Sequence, residues 1–187
     1  METIPFPDKK YKIIYADPPW PFKARSMLTT NTPMMDPKGA QKPYPIMEIK
    51  EIIALPVASL ADTDCALFMW VVAMYIPDAL KIADAWGFKY KTVAFVWEKN
   101  VNGKPKPNPG MYTMQSTEFC FLFTKGAMTK YFKTRNVKQL VQAEKRGHSV
   151  KPEDVRVRID DLFGDLPRIE LFARRRYEGW DAWGNEV

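Results

Sequence analysis

The segment best suited to chemistry is Asp17-Pro18-Pro19-Trp20. It follows a short apolar run, Ile13 to Ala16, that reads as a strand halted by two residues unable to donate to a ladder. A carboxylate followed by two prolines makes a rigid corner with a backbone carbonyl on offer. There the Asp17 carboxylate and the Pro18 carbonyl oxygen can accept two hydrogen bonds from one planar amino group. Trp20 adds a flat face on which an extruded base can stack. The exocyclic amine of adenine needs such a setting, because its lone pair is delocalised into the ring. Two acceptors fix its hydrogens and favour a pyramidal nitrogen, which turns the lone pair toward an electrophilic methyl group. Orientation then supplies most of the catalysis, and no strong base is required. The competing reading is a strand, a proline turn and a core tryptophan.

The elements that must position this corner follow from hydrophobic period. Ala66 to Val72 is continuously apolar, as expected of a strand covered on both faces. Ile76 to Trp86 predicts a helix: Pro77 suits its first turn, Gly87 its end, and Ala79, Ile82, Ala83 and Trp86 share one face. Val93 to Trp97, Phe119 to Phe123 and Ile169 to Phe172 read as further strands. A second helix starts at Pro152, with Glu153 and Asp154 in its first turn, Val155, Ile159 and Leu162 as its buried stripe, and Gly164 as its stop. Asp62 to Asp64 reads as an ordinary turn. Alternating strands and helices predict an α/β sandwich with a mainly parallel sheet, in which ligands collect at the carboxyl ends of the strands. Two stretches resist the scheme, Pro21 to Pro45 and Asn100 to Thr117. Loops this long usually bind something or move.

Composition narrows the class. With 187 residues, 46% of them apolar, the chain suits one compact domain, 1–187, and no inter-domain linker is visible. No apolar run approaches the roughly 20 residues of a membrane span, and the first ten residues lack a secretory pattern. A cytoplasmic domain is expected. Cys65 and Cys120 provide no disulfide framework, and His148 is the only histidine, so no metal site is expected and a Ser-His-Asp hydrolase is excluded as improbable. Charge is concentrated: of the net +6, the stretch 99–138 carries eight basic residues against Glu118 alone. Localised positive charge suits phosphates. Lys99, Lys104 and Lys106, with Arg25 in the first long loop, are candidate contacts to a nucleic-acid backbone; the alternative is a solubilising face.

Tyr15-Ala16-Asp17-Pro18-Pro19-Trp20 resembles the signature of the DPPW-type adenine methyltransferases, which include the catalytic subunit of the eukaryotic messenger-RNA adenine methyltransferase. Six further segments are similar to the family in the same order. Leu67-Phe68-Met69-Trp70, Ala85-Trp86-Gly87-Phe88 and Phe95-Val96-Trp97-Glu98-Lys99 come first. His148-Ser149-Val150-Lys151-Pro152 and the run Ile169-Glu170-Leu171-Phe172-Ala173-Arg174, followed by Trp183-Gly184-Asn185-Glu186, complete the set. The resemblance implies a Rossmann-like sandwich with an antiparallel edge and a permuted order, the catalytic strand preceding the cofactor strand. It implies S-adenosylmethionine as methyl donor and adenine as acceptor.

Carried over by position, the resemblance makes Asp17 the group that touches both the donor's amino group and the target amine. Lys151 would pair with the donor's carboxylate, with Ser149 a weaker candidate beside it. Arg174, Asn185 and Glu186 would hold the ribose hydroxyls and nearby polar atoms. Tyr177 stands where the family often has an Asn, and Arg176 where it can have a His, so ribose and adenine contacts depart from the pattern there. Trp180 and Trp183 are expected to pin the tail. DNA is favoured as substrate because compact members resemble bacterial or phage enzymes. RNA is the runner-up, a homodimer is compatible, and a degenerate nucleic-acid-binding subunit is the alternative class.

Overall fold

The structure is a computed structural model that describes residues 4–21, 46–110, 112–146 and 150–187. Of the sequence-derived candidates, Arg25 and Ser149, together with His148, lie outside the described residues. The strands in chain order are β1 (Tyr11–Ala16), β2 (Ala61–Val71), β3 (Lys89–Val101), β4 (Lys104–Pro105), β5 (Asn108–Pro109), β6 (Met114–Gln115), β7 (Thr117–Lys125), β8 (Leu140–Glu144), β9 (Arg168–Leu171) and β10 (Asp181–Trp183). Among the described residues three α-helices accompany them: α1 (Ile49–Ala54), α2 (Ile76–Ala85) and α3 (Asp154–Phe163).

One eight-stranded sheet runs β10-β9-β1-β2-β7-β3-β4, with β8 added against β3. β1 is parallel to both β2 and β9, β9 to β10, and β3 to β8. β7 is antiparallel to both its neighbours, β2 and β3, so β3 runs with β1 and β2. The sheet is therefore mainly parallel. Its reversed strand β7 is inserted in the interior, and at the edge only the two-residue β4 runs backward. The catalytic-strand candidate β1 and the later strand β9 lie side by side, with Ala16 opposite Leu171. Consequently Asp17 and the residues after Leu171 leave the sheet at one edge, where β7 begins.

Strand alternation divides the core between two faces. Ile14, Ala16, Leu67, Met69 and Val71 face α1 and α2, packing with Ile52, Ala79, Ile82, Ala83 and Trp86. Ile13, Tyr15, Ala66, Phe68 and Trp70 face the other way, onto Val155, Ile159 and Phe163 of α3 and onto Trp180. β2 is thus buried on both sides, as its unbroken apolar run predicts. Each fully buried large side chain contributes roughly 1.5–3 kcal/mol. α3 stops at Gly164, whose φ of 74° a side chain would oppose.

Several expectations need correction. Asp62 to Asp64 does not form a turn before β2 but lies inside it. The β1–β2 register jumps from Tyr11↔Ala61 to Ile13↔Ala66, so these polar residues bulge from the ladder. Asp62 uses the bulge to pair with Lys12 at 2.9 Å, and Asp64 to accept a hydrogen bond from the Ala127 amide. Nor is the stretch from Asn100 to Thr117 a structureless loop. It holds the end of β3, the short return β4 and the β5–β6 hairpin. Among the described residues, no helix is long and apolar enough to cross a membrane.

Candidate active site

The Asp17 corner is fixed from three sides. Trp20 donates its amide to the Pro18 carbonyl at 2.8 Å, and Met47 donates to the Pro19 carbonyl at 3.0 Å. The Trp20 indole N–H donates to the Trp70 carbonyl at 3.1 Å, tying the corner to the end of β2. Trp70 in turn donates its indole N–H to the Tyr15 hydroxyl. Prolines at 18 and 19 therefore sit in a turn whose carbonyls are partly used. The Pro18 oxygen keeps one lone pair beyond the Trp20 amide.

Trp20 is not the exposed platform the sequence suggests. It is 3% exposed, and its ring stacks on Tyr75 at 5.5 Å between centroids and 10° between planes. Its apolar bulk and single N–H are best satisfied inside, where a carbonyl on β2 meets the donor.

At the sheet edge four charged side chains alternate in sign. Lys151, at the approach to α3, places its Nζ 2.8 Å from Asp17 Oδ2 and 3.3 Å from Glu118 Oε2. Glu118, at the start of β7, also meets Lys99 Nζ at 2.5 Å through its other oxygen. The Lys151 side chain is only 9% exposed and lies 5.5 Å from the Trp70 ring centroid. Burial pushes the Asp17 carboxyl above its ordinary value, a rise that the Lys151 ammonium restrains and the Glu118 charge reinforces. Burial would also raise Glu118, but Lys151 and Lys99 together carry it below the usual carboxylate range. Burial opposes charge on Lys151, yet its two carboxylate partners outweigh that and raise it. The result is an ionic ladder in which each charge is held by the next.

Lys99 is corrected by this geometry. Sequence counting places it on a nucleic-acid-facing basic surface, but it turns inward onto Glu118, and its charge is spent inside the site. Lys104 and Lys106 remain exposed at β4 and beyond. Glu118 was missed among the candidates. Its signal was available, as the single acid in a stretch of eight bases.

The remaining candidates lie around the same edge. Arg174, two residues beyond β9 and its following Phe172, reaches Glu186 with Nε 3.7 Å from Oε1. Its positive charge also lowers Asp17. Asn185 and Glu186 are exposed just past β10, which pins the tail against β9. Trp183 anchors the strand's far side by donating its N–H to the Ile4 carbonyl at 3.1 Å. Tyr177 is taken up elsewhere, 3.7 Å from the guanidinium of Arg156. That arginine forms a buried two-pronged pair with Glu170 of β9, at 2.8 and 2.7 Å, beneath the site.

A cleft of about 80 Å³ opens beside Lys151, lined among others by Ala143, Val150, Pro152 and Arg175. It is smaller than the roughly 300–1,000 Å³ of a drug-sized ligand site, so it fits one end of a ligand. Among the described residues, no group of three or more His, Cys, Asp or Glu is arranged to hold a metal.

The chain is similar to known proteins over nearly its whole length. The MT-A70 family pattern matches residues 11–186. The chain is 40% identical to the type II methyltransferase M.MunI of a Mycoplasma species, over all of this chain and 82% of that protein. It is 27% identical to the human N(6)-adenine-specific methyltransferase METTL4, over 96% of this chain and 38% of that protein. An MT-A70-like N(6)-adenosine-methyltransferase of Arabidopsis thaliana is 25% identical, over 95% of this chain and 24% of that protein.

Proposed function

The chain belongs to the MT-A70 family and is an adenine-N(6) methyltransferase, and on that premise we propose S-adenosylmethionine as its donor and DNA as its acceptor. The observation that carries the site assignment is the Asp17 carboxylate at the end of β1, held 2.8 Å from Lys151. An ammonium at that distance favours the ionised carboxylate, which must be an acceptor to hold an amino group.

The residues present fit the donor by their chemistry. Its amino-acid end carries one ammonium and one carboxylate, and Asp17 and Lys151 offer the complementary pair side by side. Lys151 has three N–H donors, of which Asp17 and Glu118 engage two, leaving one for a carboxylate. Arg174, Asn185 and Glu186 supply donors and acceptors suited to vicinal ribose hydroxyls. When bound, the donor supplies a methyl group on a positively charged sulfur.

The work of the chain is orientation. Asp17 and the remaining lone pair of the Pro18 carbonyl accept the two N–H groups of the target amine. Held so, the nitrogen presents its lone pair in one direction only, and alignment of this kind accounts for a large share of a transfer barrier. The proton released from the methylated amine has an acceptor in Asp17, whose affinity for protons burial has raised. Lys151 keeps the carboxylate charged between turnovers, and Glu118 and Lys99 fix Lys151 from behind.

DNA is favoured by the likeness to a type II methyltransferase and to an adenine-specific relative. The same likeness to a Mycoplasma protein supports a cytoplasmic setting. The test is methyl transfer from labelled donor to matched DNA and RNA, single- and double-stranded, followed by digestion and mass detection of nucleosides. Methyldeoxyadenosine is the expected product. Methyladenosine alone moves the acceptor to RNA, and no methylated adenine in any substrate refutes the activity.

A further inference from the structure

The stretch after Lys99 ends in a feature that the catalytic corner does not use. β3 and β4 form one hairpin about Asn102 and Gly103, and β5 and β6 form a second. Both are rooted on Lys99: its amide donates to Ser116 at 2.8 Å, and its carbonyl accepts from Lys106 at 2.8 Å. Since the Lys99 ammonium holds Glu118, the double hairpin is continuous with the ionic ladder of the site.

The tip of the second hairpin is a tight turn closed by the Gly110 amide donating to Thr113 at 2.9 Å. A β-carbon at Gly110 would stand 2.7 Å from the Thr113 carbonyl oxygen, so only glycine permits this closure. The turn holds Tyr112 out in solvent at 94% exposure, and Met114 beside it at 61%. A tyrosine displayed so fully loses the burial that normally recruits it. Lys104 and Lys106 lie on the adjoining hairpin, both exposed, and no ion pair engages either among the described residues. An exposed aromatic ring on one hairpin and unneutralised cations on the next fit a partner that presents flat faces along a line of negative charge.

We propose that the β3–β4 and β5–β6 hairpins form a nucleic-acid finger whose Tyr112 ring stacks on a base beside the extruded adenine, with Lys104 and Lys106 on the neighbouring phosphates. The proposal rests on the adenine methyltransferase reading of the site. Extruding a base breaks stacking on both of its neighbours, and a ring entering at the gap restores part of it. Because each base offers a π-face, such a contact strengthens binding without choosing a sequence.

The test compares wild type with Tyr112→Ala and Tyr112→Phe, using anisotropy with a short fluorescein-labelled duplex cut from a methylated DNA substrate. Tyr112 is almost fully exposed, so both variants keep the fold. Tyr112→Ala is expected to weaken binding roughly 5- to 150-fold, the range of one base–aromatic stack, with the salt dependence unchanged. Tyr112→Phe is expected to bind as wild type. Equal binding by Tyr112→Ala overturns the finger, as does an equal loss in Tyr112→Phe, which would assign the effect to the hydroxyl. These results stand apart from failure of the premise, in which wild type itself methylates no adenine.

Discussion

Replacing Lys151 by methionine removes the ammonium that bridges both site carboxylates, and its consequence for Asp17 has a definite sign. At 2.8 Å the pair is worth at most about 6 kcal/mol at an effective dielectric near 20. Relaxation of the side chains and entering water reduce this, and a cation in contact commonly lowers a carboxyl by roughly 1–3 units. Asp17 already lies above its ordinary value because burial outweighs Lys151. Losing Lys151 therefore moves it further upward. Activity that needs the ionised carboxylate is lost as pH falls through that raised value, so the acid limb of kcat shifts up by roughly 1–3 pH units. The assay is the pH profile of methyl incorporation at saturating donor and DNA, which separates the titration from weakened donor binding. Glu118→Gln is the matched control with the opposite sign, since its charge raises Asp17, and its acid limb moves down. Limbs that stay in place, or that move together in both variants, refute the electrostatic reasoning.

Other outcomes follow from the packing around the site. Glu170→Ala leaves the buried Arg156 guanidinium without its carboxylate and is expected to lower stability by roughly 3–5 kcal/mol in urea unfolding; a change near zero would mean that Arg156 escapes to water. Gly184→Ala would set a β-carbon 2.3 Å from the Ala173 carbonyl oxygen, a backbone atom with little room to yield. It is expected to cost roughly 1–3 kcal/mol and to weaken donor binding in calorimetry by displacing Asn185 and Glu186; an unchanged affinity would remove the tail from the donor site. Reversing both Lys104 and Lys106 to Glu is expected to weaken DNA binding and to flatten its salt dependence by roughly one counterion for each phosphate no longer neutralised. An unaltered slope would make these lysines a solubilising face.

Much of the sheet was legible because burial imposes a period. β2 showed as an unbroken apolar run since both its faces are covered, and α2 showed through one apolar stripe between Pro77 and Gly87. Elements with little to bury left no such trace. α1 buries Ile52 alone, β8 fully buries only Val141, and β10 has three half-buried residues held by its register with β9. The bulge at Asp62 to Asp64 imitated a turn because its polar residues serve side-chain partners rather than the core. Within the site, Asp17 and Lys151 were identified from motif position and lie side by side. Glu118 and Lys99 escaped because charge counting records a stretch and not the direction of a side chain. Trp20 was legible as part of the corner but not as a buried strut, since its stacking partner Tyr75 lies 55 residues away.

The most direct test of the central claim is the turnover of Asp17→Asn. Asparagine keeps the size of the side chain and removes its charge, while Lys151 retains Glu118 at 3.3 Å, so the fold is preserved. Methylated adenine is measured by mass after reaction with DNA, alongside the unfolding midpoint of the same preparation. A folded Asp17→Asn protein that has lost roughly 100-fold or more of its rate is the predicted result. A folded variant that methylates adenine at the wild-type rate contradicts the assignment of this corner as the catalytic centre.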